Sequence, residues 1–423
     1  MATDIVRDDP KLINAWSFFD WANSAFALVI TTAIFPAYFI EVTSDEITIG
    51  PLTTSNSALY AFAISASYLI IAALSPLLSG IADYGGRKMF FLRFFTILGS
   101  ASCLALFGFQ GMEQLWLGTS AFILALIGFA GALVFYNAYL PLIASEARYD
   151  RVSARGYAFG YIGSVILLVL CLLVIQFADS LGLPSGTLPV RISFLLVGIW
   201  WIGFALIPFR RLPPDQRVRQ NGLLRKGVQE LRKVWRAAQH QYHLKRFLIA
   251  FFCFSAGVQT VLFLAATFAE KELDFSTSQL ILLILLLQVL AIAGAYLFAL
   301  LSDRHGNKFS LITMLFIWTA ICLIAYFVEG KGPFYALACG VGLVMGGIQS
   351  LARSSYSKLM PDHTEDTTSY FSFYDVLEKV AIVFGTLLFG LLDQLTGSMR
   401  ISILTLAIFF IAGMVLLQKI KIE

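Results

Sequence analysis

The chain has 423 residues, of which 58% are hydrophobic and 13% are charged, and its formal net charge is +4. A soluble protein carries about 25% charged residues, so this composition excludes a soluble domain and indicates an integral membrane protein. The five cysteines stand singly in apolar runs, which argues against a zinc site or a disulfide framework, and no basic, aromatic-rich polar region favours a nucleic-acid partner.

Twelve apolar runs are long enough to be membrane spans, since one crossing takes roughly 20 residues. Backbone groups in lipid must be hydrogen-bonded within the chain, so each run predicts an α-helix. The predicted fold class is therefore an all-α integral membrane protein with twelve transmembrane helices. In chain order the predicted spans are 16–40, 57–80, 89–109, 115–140, 156–178, 191–209, 246–269, 278–301, 309–328, 334–352, 370–392 and 400–418.

Basic residues predict the orientation of these helices. The N-terminal segment and the even-numbered connections are rich in lysine and arginine, whereas the odd-numbered connections hold only Arg191, Lys271, Lys331 and Arg400. Both termini are therefore expected on the cytoplasmic side, which requires an even number of spans. The short loops favour a multi-pass protein of a bacterial inner membrane over a protein of a eukaryotic vacuole.

The sixth connection divides the chain. We predict two six-helix bundles, residues 1–209 and residues 246–423, joined by a basic linker, residues 210–245. The linker begins with a Pro-Pro break and continues as a helix with an apolar face. That face holds Val228, Leu231, Trp235 and Ala238. The pattern favours a helix lying on the inner membrane surface near anionic headgroups; an ordinary charged linker helix is the alternative.

The two halves share a short polar pattern. It reads GIADYGGRK at Gly80–Lys88, after the second span, and LLSDRHGNK at Leu300–Lys308, after the eighth. Four pairs stand at the same offset of 220 positions: Asp83 and Asp303, Gly86 and Gly306, Lys88 and Lys308, and Pro141 and Pro361. Four matches at one offset, each at the equivalent end of a span, indicate a duplicated six-helix unit.

Both turns resemble the signature of the major facilitator superfamily, whose architecture is twelve helices in two parallel halves. The resemblance covers the whole chain and implies transport by alternating access, with a substrate site between the halves. It also implies that residues at the cytoplasmic ends of the helices act as gate latches rather than as substrate ligands. The expected gating residues are Asp83, Gly86, Arg87, Asp303, Gly306 and Arg353.

The resemblance further implies a partner for each turn. Asp83 should contact the N-terminus of the eleventh helix near residues 369–370, because a helix N-terminus carries about half a positive charge. By symmetry, Asp303 should contact the fifth helix near residues 155–156. Both contacts should form when the halves close on the cytoplasmic side.

Three longer runs resemble one branch of this superfamily. They are Trp16–Phe26 (WSFFDWANSAF), Gly346–Ser354 (GGIQSLARS) and Tyr370–Val376 (YFSFYDV). The branch, once called the unknown major facilitator group, includes the vacuolar amino-acid effluxers linked to autophagy in yeast. The resemblance implies a small organic solute as substrate and suggests amino-acid efflux. The chain departs from the branch just before Gly257, where an acidic residue is expected and Ala256 stands.

Ionisable groups inside a span are costly, so they are functional candidates. Asp20, Asp375 and Glu378 are the candidates for proton coupling. In the alternative interpretation they lie near the headgroups and only stabilise the closed gate with Arg353 and Lys379. Their positions close to the predicted span ends favour this alternative.

Neutral polar groups deeper in the spans are candidates for substrate binding. We select Asn23, Gln259, Thr260 and Gln349, because the resemblance implies a cavity lined by the first, fourth, seventh and tenth helices. Hydrogen bonding between helices is the alternative for each of them.

No nucleotide-binding loop or hydrolase motif occurs, so neither an ATP-driven pump nor an enzyme is expected, and no cofactor. The sequence predicts a secondary active transporter, or a uniporter, of small organic solutes. Its expected partners are the substrate, protons and membrane lipids, and it is expected to act as a monomer. The alternatives are a flippase-like transporter of lipids or other amphiphiles with the same fold and, less favoured, a membrane sensor that transports nothing.

Overall fold

The computed structural model describes residues 6–49, 52–184, 186–215, 223–361, 364 and 366–422. Its helices are α1 (Pro10–Ala25), α2 (Phe35–Val42), α3 (Asn56–Gly85), α4 (Lys88–Leu106), α5 (Leu115–Asn137), α6 (Leu140–Ile143), α7 (Tyr149–Gln176), α8 (Leu188–Arg211), α9 (Leu223–His240), α10 (Tyr242–Leu273), α11 (Thr277–His305), α12 (Asn307–Phe327), α13 (Lys331–Lys358), α14 (Thr367–Thr396) and α15 (Met399–Gln418). One antiparallel hairpin pairs β1 (Glu46–Ile49) with β2 (Leu52–Ser55), with Ile47 opposite Thr54. Single 3₁₀ turns precede α5 and α7.

The first crossing is one continuous helical segment in three parts. Asp9 caps α1 by accepting a hydrogen bond from the main-chain N–H of Lys11 at 2.9 Å, and Pro10 occupies the first turn, where no N–H is needed. Between α1 and α2, Phe26–Ile34 forms a π-helix. Pro36 has no N–H to donate to the carbonyl four residues earlier, which interrupts the α-helical ladder at this point. The apolar run of the first span does not by itself predict this widened segment.

The described residues contain eleven helical segments that are long and apolar enough to cross a membrane. The one predicted crossing that is not among these eleven is the eleventh in chain order, α14, which carries Asp375, Glu378 and Lys379 within two turns. Its 30 residues span about 45 Å, more than the thickness of the hydrocarbon core. The predicted all-α membrane fold is confirmed.

Both ends of the described chain lie at one face of the bundle, which we call the terminal face. The main-chain N–H of Asp8 donates to the carbonyl of Ile143 at 2.8 Å, and Lys308 Nζ donates to the carbonyl of Gln418 at 2.6 Å. The connection between α5 and α7 therefore lies near the beginning of α1, and the turn after α11 lies near the end of α15.

Buried apolar side chains form two large clusters. One extends from Ile13 to Leu212, and the other extends from Val234 to Ile420 and includes Ala138 and Tyr161. We refer to α1–α8 as the first half and to α10–α15 as the second half; the exact domain boundaries remain predictions. Across the halves, α7 packs against α11 and α13, and α14 packs against α3 and α5.

The linker helix α9 packs against α3 and α14. Val234 and Ala238 are 2% and 5% exposed, and the half-exposed Trp235 ring lies 5.2 Å from the ring of Phe373. Of the predicted apolar face, Ala238 is thus buried against the bundle and Trp235 is exposed, and the position of α9 relative to the membrane surface remains a prediction. Residues 216–222 of the predicted linker lie outside the described residues.

Close packing of α11 on α13 depends on glycine. A Cβ at Gly294 would overlap the main-chain carbonyl of Leu343, whereas a Cβ at Gly203, on α8, meets nothing within 4 Å. We expect Gly294→Val to destabilise the protein by about 1–3 kcal/mol or more, because the crossing helices must move apart. Thermal unfolding in detergent measures this effect, and Gly203→Val is the matched control. Equal melting temperatures for the two variants would contradict it.

Candidate functional site

A buried pair of opposite charges lies where the two halves meet. Arg353 on α13 is 1% exposed and Asp20 on α1 is 3% exposed. Arg353 Nη1 lies 3.4 Å from Asp20 Oδ2, and the hydroxyl of Tyr136 donates to the same oxygen at 2.7 Å. Each charge is thus enclosed by protein and compensated by the other.

Arg353 also donates to other acceptors of the first half. Its Nε donates to Ser153 Oγ at 2.9 Å, its Nη2 donates to the Ser153 carbonyl at 2.9 Å, and its Nη1 donates to Asn137 Oδ1 at 3.1 Å. The guanidinium carbon lies 4.3 Å from the ring centroid of Tyr157 and 4.7 Å from that of Trp16, at cation–π distance. All of these partners belong to α1, α5 and α7, whereas Arg353 belongs to the second half.

The close approach of α7 at this cluster requires Gly156. A Cβ there would lie 2.9 Å from both Arg353 Nη2 and Asp20 Oδ2, and 2.8 Å from the Trp16 ring. Any side chain at this position would push the arginine away from its partners. Gly156 therefore positions the charge pair without contributing a polar group.

A second ionic cluster lies on α14. Lys379 Nζ lies 2.9 Å from Oδ1 of Asp375, four residues earlier on the same helix, and 3.0 Å from Glu378 Oε2. Glu378 also accepts a hydrogen bond from Gln259 Nε2 at 3.3 Å. Among the described residues, Asp375 Oδ2 is buried without a hydrogen-bond partner. All four residues belong to the second half.

These carboxylates are enclosed rather than placed at the headgroups. Asp20 and Asp375 are 3% and 2% exposed, and Lys379 is 4% exposed. The first helix begins at Pro10, earlier than the predicted span start at residue 16. Asp20 therefore lies ten residues, or about 15 Å, from the beginning of the helix. The interfacial position favoured by the sequence does not agree with this burial.

The four predicted substrate residues have different surroundings. Asn23 is fully buried one helical turn after Asp20, and neither atom of its amide has a hydrogen-bond partner among the described residues. Thr260 is also fully buried with an unpartnered hydroxyl. Gln349 accepts a 2.5 Å hydrogen bond from the hydroxyl of Tyr161 across the halves. Gln259 is engaged by Glu378, as described above.

The first gate turn makes the predicted contact. Asp83 Oδ2 accepts from the main-chain N–H of Ser369 at 2.6 Å, and Oδ1 accepts from that of Thr368 at 3.2 Å, both at the N-terminus of α14. Gly86 ends α3 with a φ of +58°, in the left-handed region that glycine adopts at low cost. The main-chain N–H of Arg87 donates to the carbonyl of Ala82 at 2.8 Å and so closes the turn.

The second gate turn makes a different contact from the predicted one. Asp303 Oδ2 accepts from Arg151 Nε at 2.7 Å, and the Arg151 side chain is 67% exposed. The prediction that Asp303 contacts residues 155–156 is wrong. The helix α7 begins at Tyr149 rather than near residue 156, so its first turn contains Arg151. Gly306, with a φ of +84°, connects α11 to α12.

A buried cluster of hydrogen bonds around Asp150, which we call the Asp150 latch, was not predicted from the sequence. Asp150 on α7 is 4% exposed, and its carboxylate accepts from Asn307 Nδ2 at 2.7 Å, from Lys358 Nζ at 3.0 Å and from Ser302 Oγ at 3.1 Å. All three donors belong to the second half. The repeat contains one indication of this cluster, since Asn307 stands where the first half has Arg87. Asp150 itself lies between arginines in a predicted loop, so the sequence offered no reason to select it.

A family model described as Vacuole effluxer Atg22 like matches residues 8–423. The uncharacterized MFS-type transporter YxiO of Bacillus subtilis (strain 168) is 32% identical over 98% of this chain and 95% of its own length. Autophagy-related protein 22-1 of Phaeosphaeria nodorum is 26% identical over 88% of this chain and 77% of its own length.

Solved structures of similar fold include two transporters. The major facilitator superfamily transporter FucP, in its outward conformation, aligns with a TM-score of 0.71 at 16% identity, over 97% of this chain and 98% of its own. The human organic anion transporter MFSD10 aligns with a TM-score of 0.72 at 14% identity, over 97% of this chain and 100% of its own. At these identities the alignments establish the fold alone.

Proposed function

Because this chain belongs to the Atg22-like vacuole effluxer family, we propose that it moves small organic solutes across a membrane by alternating access between its two halves. It is a multi-pass membrane protein with the major facilitator fold, a secondary transporter and not an enzyme. Amino acids, carried out of the compartment that the terminal face adjoins, are the substrate class that we propose. The basic connections at the terminal face support a cytoplasmic position for it.

The observation that carries the proposal is the set of bonds made by Arg353. Opening the terminal face requires the two halves to separate there, and every acceptor of Arg353 lies in the opposite half. Removing one partner from a buried ion pair costs about 3–5 kcal/mol, because the other charge is left uncompensated. Separating the halves breaks these bonds, so a substrate or a proton that offsets part of the loss favours opening of the face.

Asp20 fits the role of coupling residue better than Asp375 or Glu378. A ligand shifts a conformational equilibrium only if it binds the two states with different affinity. The ion pairs of Asp375 and Glu378 are made within the second half, so they move as one body. Asp20 pairs with Arg353 across the halves, so its negative charge stabilises the closed state more than the open state. A proton on Asp20 weakens the pair and favours opening of the terminal face.

Asn23 and Gln349 are the proposed substrate contacts. Buried polar atoms almost always have hydrogen-bond partners, so the unpartnered amide of Asn23 is suited to a substrate or a water in another state of the cycle. Gln349 joins the halves through Tyr161 and can exchange that bond for one to a substrate. Amide and hydroxyl groups of this kind match the amino and carboxylate groups of an amino acid.

Counterflow of radiolabelled amino acids in liposomes containing the purified protein tests this proposal. We expect saturable uptake that falls by about tenfold or more in Asn23→Ala, from the loss of one or two buried hydrogen bonds. Ser120→Ala, at an exposed serine bonded only within its own helix, is the matched control and should transport like the parent. Absence of uptake for every soluble solute, together with movement of labelled lipid, would replace the proposal with the amphiphile transporter.

A further inference from the structure

The linker helix α9 contacts both helices that meet at the first gate turn. These are α3, which carries Asp83, and α14, whose N-terminus Asp83 contacts. On one side it crosses α3 at a pair of glycines, where a Cβ on Gly80 would overlap the main chain of Gly227, and a Cβ on Gly227 would lie 2.9 Å from the backbone nitrogen of Ile81. Lys226 Nζ lies 5.0 Å from the ring centroid of Tyr84, one turn further along α3. This side of α9 is thus in direct backbone contact with the first half.

The other side of α9 contacts the beginning of α14 through side chains. Lys233 Nζ lies 3.0 Å from Asp366 Oδ2, and the ring of Trp235 lies 5.2 Å from that of Phe373. Hydrogen bonds to Glu230 and to Asp366 raise the pKa of Lys233, so its ammonium remains charged at neutral pH. The Lys233 side chain is 67% exposed, and exposed pairs of this kind are weak.

These contacts flank the latch itself. On α3, Gly80 and Tyr84 lie on either side of Asp83, and on α14, Asp366 and Phe373 lie on either side of Ser369, whose main-chain N–H donates to Asp83. When the terminal face opens, α3 and α14 separate, so α9 has to leave one of them. The glycine crossing is a close contact of two main chains, whereas the α14 side is held by an exposed ion pair and an aromatic contact.

We propose that α9 is a clamp across the gate, which stays on α3 and holds α14 through Lys233 and Trp235 while the terminal face is closed. Release of the α14 side accompanies opening, so the strength of that contact sets how often the gate opens. The inference rests on the proposed alternating access of the halves. It does not depend on the identity of the substrate.

Hydrogen–deuterium exchange of the full-length protein in detergent tests the clamp without any transport assay. We expect Lys233→Glu and Asp366→Lys to accelerate amide exchange by roughly two- to fivefold, the range of an exposed ion pair. The acceleration should appear in three places. These are the beginning of α14 at residues 367–373, the end of α3 at residues 79–86, and the second gate turn at residues 303–308. The double variant, which restores the pair with reversed charges, should return to the parent rates.

Arg225→Glu is the matched control, since it makes the same change of charge on an exposed residue of α9 that lies two turns before Lys233. Acceleration confined to residues 366–373 would show a purely local contact and overturn the clamp. Equal acceleration in Arg225→Glu and Lys233→Glu would also overturn it, because the effect would then belong to the charge of the helix. An inactive protein that still shows the expected exchange pattern would refute the transport proposal and leave the clamp standing.

Discussion

Replacing Arg353 with alanine is expected to abolish transport while the protein still folds. The change leaves Asp20 buried without its counter-charge and removes the donors to Ser153 and Asn137, so the closed state loses about 3–5 kcal/mol, or more than a hundredfold in population. Arg353→Lys should not restore activity, because an ammonium cannot reproduce the planar fork that contacts four acceptor atoms on three residues at once. Counterflow in liposomes and thermal unfolding in detergent measure the two parts of this expectation.

Arg151→Ala is the matched control for that variant. It also removes an arginine that pairs across the halves, but the Arg151 side chain is 67% exposed and its pair with Asp303 is open to water. Exposed pairs contribute about 0–1 kcal/mol, so transport should fall by no more than about fivefold. If Arg353→Ala transported as well as Arg151→Ala, the buried cluster would have no special role in the cycle.

Asp20→Asn should uncouple transport from the pH gradient. The neutral amide cannot take up a proton, so an imposed gradient should no longer stimulate net uptake, whereas exchange of substrate for substrate, which needs no net proton movement, should continue. Asp375→Asn and Glu378→Gln should keep the stimulation, because their ion pairs lie within one half. The measurement is uptake with and without a gradient, compared with counterflow in the same liposomes.

The opposite pattern would contradict the assignment of Asp20. If Glu378→Gln lost the stimulation and Asp20→Asn kept it, the coupling group would be the cluster on α14, and Gln259 would be the contact to investigate next. A transporter whose uptake does not respond to a gradient in the parent form would be a uniporter, with Asp20 serving only to close the gate.

The contacts that were predictable from sequence are those set by local rules. The turn after α3 combines an acidic residue, a glycine and two basic residues, and a carboxylate at a helix end is attracted to the N-terminus of another helix. These rules indicate that Asp83 seeks a helix N-terminus, and the family resemblance implied that this N-terminus belongs to the eleventh helix, α14. The number and order of the crossings follow equally from the lengths of the apolar runs and from the basic connections.

The contacts that were missed depend on how far polar helices extend beyond the apolar runs. The tenth run ends near residue 352, which made Arg353 look like a boundary residue, but α13 continues to Lys358. The fifth run starts near residue 156, whereas α7 begins at Tyr149 and so places Asp150 and Arg151 within its first turn. Hydropathy does not report such extensions, because polar residues buried by neighbouring helices look like residues of a loop.

The gating role of Asp83, Asp303 and the Asp150 latch remains a prediction about motion, and covalent locking tests it. Arg151→Cys with Asp303→Cys places a short reversible cross-link between α7 and α11, across the halves at the terminal face. Glu272→Cys with Arg400→Cys places the same link between α10 and α15, within the second half. The Nε–carboxylate distance is 3.0 Å in this pair and 2.7 Å between Arg151 and Asp303. Both are compared with the parent treated in the same way.

The most direct measurement of the alternating-access account is therefore counterflow before and after cross-linking of these two pairs, followed by reduction. The account predicts that the link between positions 151 and 303 stops transport and that reduction restores it, while the link between positions 272 and 400 leaves transport unchanged. Continued transport with the halves covalently joined at the terminal face would contradict the central claim that they separate there in every cycle.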